Sequence, residues 1–109
     1  MYVHKTVLLE EAVRNLHIKE DGIYVDATTG GGGHSALILK QLTKGHLYCF
    51  DQDPYAFSKA EESLRSIGSN YTFIHANFVD LQKELAFYGV DRIDGIIYDL
   101  GVSSFQLDI

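Results

Sequence analysis

The chain has one cysteine, Cys49, so no disulfide can form within it, and a reducing compartment is the reading. Cys49 sits in an apolar run and reads as a core thiol. No stretch reaches the ~20 apolar residues of a membrane span. Met1-Tyr2-Val3-His4-Lys5 lacks the long apolar core of a signal peptide, so a cytoplasmic location is expected. Positive charge is also scarce. With a net charge of −6, the chain offers no basic field for nucleic acid, although RNA remains open as a substrate. No histidine pair has metal-ligand spacing, so no metal is expected. No serine sits in a G-x-S-x-G elbow, which leaves a hydrolase triad without support. The Gly-Lys-Ser/Thr of a phosphate-binding Walker loop is absent. There is no internal repeat, low-complexity segment or linker.

What is present is an ordinary globular composition, 46% hydrophobic and 22% charged, in 109 residues, enough for one small domain. Leu8, Leu9, Ala12, Val13 and Leu16 share one helical face, which predicts a helix over 7–17. Strands are expected at 23–27, 47–50, 71–75 and 93–100. Helices are expected at 35–42, 54–67 and 78–88, with Gly45, Gly68 and Gly89 closing them in turn. Asp53 suits the cap of the second of these, and Pro54 its first position. Alternating strands and helices predict an α/β fold with a parallel sheet covered on both faces, its strands ordered 3-2-1-4. Four strands are few for such a sheet. The chain is therefore expected to be the N-terminal part of a longer protein, with the fourth strand an open apolar edge through which the piece associates with itself.

The chemistry concentrates in four places. Asp26-Ala27-Thr28-Thr29-Gly30-Gly31-Gly32-Gly33-His34-Ser35 joins the first strand to a helix, and its glycines let a ligand approach bare backbone. The dinucleotide pattern G-x-G-x-x-G fits only in part, because its third glycine falls on Ser35. Asp51, about twenty residues later at a strand end, suits the hydroxyls of a ribose. Loop and acid together imply an adenosine-type cofactor, either nicotinamide dinucleotide or S-adenosylmethionine. Asn77-Phe78 reads two ways: Phe78 packs on an adenine, or Asn77 caps a helix and Phe78 enters the core. Asp99 ends the fourth strand at the switch point of the sheet, where ligands bind, and the Gly101-Val102-Ser103-Ser104 turn adds amides and hydroxyls.

Taken together, His4-x-x-Val7-Leu8-Leu9-x-Glu11, the glycine loop, Asp51-x-Asp53 and Asp99-Leu100-Gly101-Val102-Ser103-Ser104-x-Gln106-Leu107-Asp108 resemble the bacterial ribosomal RNA small-subunit methyltransferase H family. The resemblance covers nearly the whole chain. It implies a Rossmann-like methyltransferase fold, truncated here before the remaining strands and an inserted helical domain. It also implies S-adenosyl-L-methionine as cofactor and transfer of methyl to the N4 amine of a cytidine in 16S ribosomal RNA of the small subunit. By the family's motif, Gly32, Gly33, His34, Asp51, Phe78, Asp99 and Gln106 bind the donor. Asp99 is the expected catalytic residue, and Ser103 and Ser104 face the substrate base. Thr6, Gly31 and Phe105 depart from the family's usual proline, arginine and proline. The piece alone is expected to be inactive on RNA. Two other readings stay open: a nicotinamide-dependent oxidoreductase and a non-catalytic adenosine-binding module.

Overall fold

The computed structural model describes residues 10–27 and 33–98, and the backbone of 101–103 and 107–108. A helical segment over 10–14 (α1) leads into β1 (Ile23–Asp26), α2 (Gly33–Leu39), β2 (His46–Asp51), α3 (Pro54–Leu64) and β3 (Tyr71–His75). A 3-10 turn (Phe78–Asp80) precedes α4 (Leu81–Phe87). Four short strands follow: β4 (Arg92–Ile93), β5 (Gly95–Tyr98), β6 (Gly101–Ser103) and β7 (Leu107–Asp108).

The main sheet has the order β3-β2-β1-β5-β6. Its first four strands are parallel, with Asp26 opposite both Cys49 and Ile97. The expected order 3-2-1-4 holds, with β5 as the fourth strand. Period-2 alternation along the strands divides two cores. Tyr24, Leu47, Cys49 and Ile97 meet Val13 of α1, Leu16 in the turn after it, and Ile38, Leu39, Ala60 and Leu64 from α2 and α3. Val25, Phe50, Ile74 and Ile96 meet Leu81 and Leu85 of α4 on the other face. Both faces of a parallel sheet are thus covered, which is why its strands read as apolar runs.

Several boundaries differ from those the sequence predicts. The fourth strand does not run unbroken over 93–100. Asp94 interrupts it, because its N–H donates to the Ile23 carbonyl at 2.7 Å and its Oδ2 accepts from the Ile23 N–H at 2.9 Å. This double hold turns Arg92–Ile93 away into a two-stranded antiparallel ladder with β7. Nor is the outer edge of that strand open. The chain returns as β6, pairing antiparallel with Ile96 opposite Ser103 and Tyr98 opposite Gly101. The edge on which self-association was expected is therefore occupied, and that expectation loses its ground. Asp99 and Leu100, between these strands in sequence, lie outside the described residues.

The helix ends are more instructive. Asp53 Oδ1 accepts from the Tyr55 N–H at 3.0 Å and Pro54 opens α3, as expected. Gly68 bonds back to Leu64, and Gly89 takes a positive φ of 78° beyond α4. Gly45 is not a helix cap. It lies six residues beyond α2, and a Cβ there would stand 2.1 Å from the Gly22 carbonyl oxygen. Glycine is needed at this point because two backbones cross.

Candidate functional site

Parallel strands place all their carboxyl ends at one edge. In an open sheet, ligands bind there, beside the strand at which the chain changes direction. Here that strand is β1, flanked by β2 on one side and β5 on the other. The ends gathered at the edge are Asp26, Asp51, His75 and Tyr98.

Asp51 ends β2 opposite His75. Its Oδ1 accepts from the Asp53 N–H at 2.9 Å, which fixes the carboxylate at the turn before α3. His75 Nε2 lies 2.7 Å from the Gln52 carbonyl, so the proton sits on Nε2 and the ring braces the same turn. Asp51 is thus a held, half-buried carboxylate with its end toward the ligand edge, which suits a pair of hydroxyls.

Asn77-Phe78 matches only half of its cap-and-core reading. Asn77 does cap the turn, accepting from the Val79 N–H at 3.0 Å. Phe78, however, does not enter the core; it is 44% exposed. Its ring stacks on Tyr98, with centroids 6.4 Å apart and planes 26° from parallel. Tyr98 falls two residues after Ile96 and so shares the face that α4 covers, and with β2 and β1 between β3 and β5 the contact spans three strand spacings. That span is about 14 Å at ordinary strand spacing. The result is a two-ring shelf, each ring partly open to solvent, near the carboxyl ends of the strands on the α4 side. The sequence reasoning missed Tyr98. Its signal was an aromatic side chain closing an apolar strand immediately before an acidic residue.

Asp26 opens the glycine-loop motif. The structure buries it completely at the end of β1, where the Ser35 hydroxyl donates to its Oδ2 at 2.6 Å. Gly33 and His34 form the first turn of α2, Gly33 exposed and His34 half-buried. Ser103 belongs to β6 by its backbone. Gly32, Asp99, Ser104 and Gln106 lie outside the described residues. The structure thus brings Asp51 and Phe78 to one edge and sets Gly33 and His34 where the glycine loop meets α2.

A cavity of about 600 Å³ lies elsewhere, lined by Glu10, Val13 and Arg14 of α1 and by Leu37 and Gln41. Gln41 follows the C-terminal end of α2, which runs back toward the amino edge of the sheet. This cavity is therefore not part of the carboxyl-edge site. No helix among the described residues is long and apolar enough to cross a membrane.

Known proteins of the same pattern exist. The chain is 57% identical over 105 residues to ribosomal RNA small subunit methyltransferase H 1 of Acholeplasma laidlawii, covering 96% of this chain and 35% of that protein. It is 55% identical over 108 residues to ribosomal RNA small subunit methyltransferase H of Exiguobacterium sibiricum, covering 99% and 35%. The chain thus spans about a third of the length of these curated relatives. The crystal structure of an rRNA methylase from Streptococcus thermophilus superposes with a TM-score of 0.61 at 27% identity, covering 87% of this chain and 51% of that one. The match to the MraW methylase family extends over residues 1–109, and with it the sheet order, the glycine loop and the acidic strand ends find one explanation: the chain belongs to the MraW methylase family.

Proposed function

We propose that this chain carries the donor-binding half of an S-adenosylmethionine-dependent methyltransferase that acts on the N4 amine of a cytidine in 16S ribosomal RNA. The observation that carries the reading is the gathering, near one set of strand ends, of a held carboxylate (Asp51) and an exposed aromatic shelf (Phe78 and Tyr98), in a chain whose first strand is followed in sequence by four glycines. Family membership supplies the reaction class, and the two curated relatives carry the ribosomal RNA substrate in their names.

The residues present fit an adenosine group. Asp51 accepts the ribose hydroxyls, and Phe78 offers a flat apolar face to the base. When bound, S-adenosylmethionine supplies an electrophilic methyl on a positively charged sulfur. The protein's task is alignment, because in-line displacement depends steeply on the placement of the reacting atoms. Gly32, Gly33, His34 and Gln106 complete the donor site in this reading. Asp99 accepts a hydrogen bond from the cytosine amine, returning electron density to a nitrogen whose lone pair is delocalised into the ring. Ser103 and Ser104 hold the base beside it.

The acidic balance of the chain does not favour a phosphate backbone. This segment alone is therefore expected to bind donor without methylating ribosomal subunits. Calorimetry tests the first half: S-adenosylmethionine binds, NAD does not, and Asp51→Ala weakens the donor. Binding of NAD in its place would favour an oxidoreductase and refute the proposal. Incubation of the chain with small subunits and labelled donor tests the second half, with no label transferred. In a full-length relative of the family, replacing the residue that matches Asp99 by Asn is expected to lower turnover. Unchanged turnover would remove Asp99 from the reaction.

A further inference from the structure

Among the described residues two polar side chains are fully buried, Asp26 and Ser35, and they are bonded to each other. Asp26 is the last residue of β1 and Ser35 stands in the first turn of α2. The loop with four consecutive glycines lies between them in sequence. We infer that Asp26 and Ser35 are positioning residues that clasp the two stems of this loop and so hold the start of α2, with Gly33 and His34, against the end of β1.

Asp26 is rigidly placed. It pairs in register with Cys49 on one side and Ile97 on the other, and the next amide, Ala27 N–H, donates to the Ile97 carbonyl at 2.9 Å. Ser35 completes a short relay. Its single hydroxyl proton goes to Asp26 Oδ2, which leaves the oxygen to accept from the Cys49 thiol, 3.4 Å away. Three elements therefore meet at one hydroxyl: the end of β1, the interior of β2 and the start of α2. A bond of 2.6 Å to a carboxylate, shielded from water, is of the strong kind. Glycine carries the largest conformational entropy of any residue, so a run of four needs its stems fixed if the loop is to hold one shape. The clasp acts on the stems from a fully buried position.

The inference about affinity rests on the proposed donor site; the inference about the stems does not. The test uses the isotope-labelled chain and its Ser35→Ala, Asp26→Asn and double variants. Amide hydrogen exchange and S-adenosylmethionine binding are the two readouts. Ser35→Ala is expected to speed exchange in the amides of α2 by about tenfold or more, while those of α3 and α4 change little. Donor affinity should fall by a similar factor. Asp26→Asn keeps an acceptor for the hydroxyl, so it should show the same pattern at smaller amplitude. The double variant should fall short of the sum of the two single effects, because the bond they share is already lost in Ser35→Ala. If the wild-type chain binds no donor but α2 responds selectively, the clasp stands and the donor site fails. Exchange that rises evenly in every element, additive effects in the double variant, or unchanged donor affinity in Ser35→Ala with a wild type that binds would each overturn the inference.

Discussion

Replacement of Gly45 by alanine should be among the most disruptive single-methyl changes in this protein. An added Cβ would stand 2.1 Å from the Gly22 carbonyl oxygen and 2.9 Å from the Gly22 nitrogen, both backbone atoms, where real contacts do not fall below 3.0 Å. No rotamer relieves this, so the two strand entries must part by about 1 Å, a strain of about 1–3 kcal/mol. The same movement pulls on the bond from His46 N–H to that carbonyl, 3.1 Å long, and on the three amides of Thr43, Lys44 and Gly45 gathered on the Glu20 carbonyl. Losing one such bond adds about 1 kcal/mol. The total, about 2–4 kcal/mol, lowers a urea midpoint by about 1.3–2.7 M if the slope is about 1.5 kcal/mol per molar. Gly89 is the control. It has a positive φ but nothing within 4 Å of its Cβ position, so Gly89→Ala should cost about 1 kcal/mol and Gly89→Asn less. Asparagine suits a left-handed helix end but not a backbone crossing, so Gly45→Asn should be at least as damaging as Gly45→Ala. Equal midpoints for the two alanine variants, or tolerance of asparagine at Gly45, would refute the crossing argument. The stakes reach the site, because the pairing of Ile23 with His46 begins immediately beyond this point and sets the alignment of Asp26 and Asp51.

Three other outcomes are expected. Asp53→Ala removes the acceptor of the Tyr55 N–H, 3.0 Å away, and should cost about 1 kcal/mol in chemical denaturation. Leu85→Ala opens a hole in the core under α4, where Leu85 is fully buried, and should cost about 2–5 kcal/mol by the same assay. Burial pushes the His46 imidazole below its ordinary value of 6.5. The unfolded chain therefore takes up this proton at higher pH than the folded one. The stabilisation is fully present above about pH 6.5 and is lost as pH falls through the depressed folded value. Comparison of urea midpoints for wild type and His46→Gln across that window should show the steeper fall in the wild type.

Much of this was legible because parallel strands buried on both faces announce themselves as apolar runs, and because local chemistry marks helix ends. Tyr71–His75 forms as the sequence predicts, and so do the Asp53-Pro54 start of α3 and the Gly89 stop of α4. Asp51 could be placed at the carboxyl edge from spacing alone. What escaped depended on partners far away in sequence. The break at Asp94 follows from a bond to Ile23, 71 positions earlier, and no periodicity carries that. The return of β6 onto β5 rests on an antiparallel pairing of three residues, too short to leave a pattern. Gly45 resembled a helix stop because glycine serves both purposes, and only the approach of Gly22 separates them. Tyr98 read as a strand residue because its partner, Phe78, comes from across the sheet.

The hold of Asp94 on Ile23 also bears on the order of folding. The register of β1 with β2 and of β2 with β3 closes loops of about two dozen residues, whereas β5 reaches β1 only across 71. Loop-closure entropy rises with separation and slows distant pairings. The unit from β1 to β3, with Asp51, is therefore the one that forms early. β5 and Tyr98 dock onto it late, so the aromatic shelf is completed after the Asp51 carboxylate is in place.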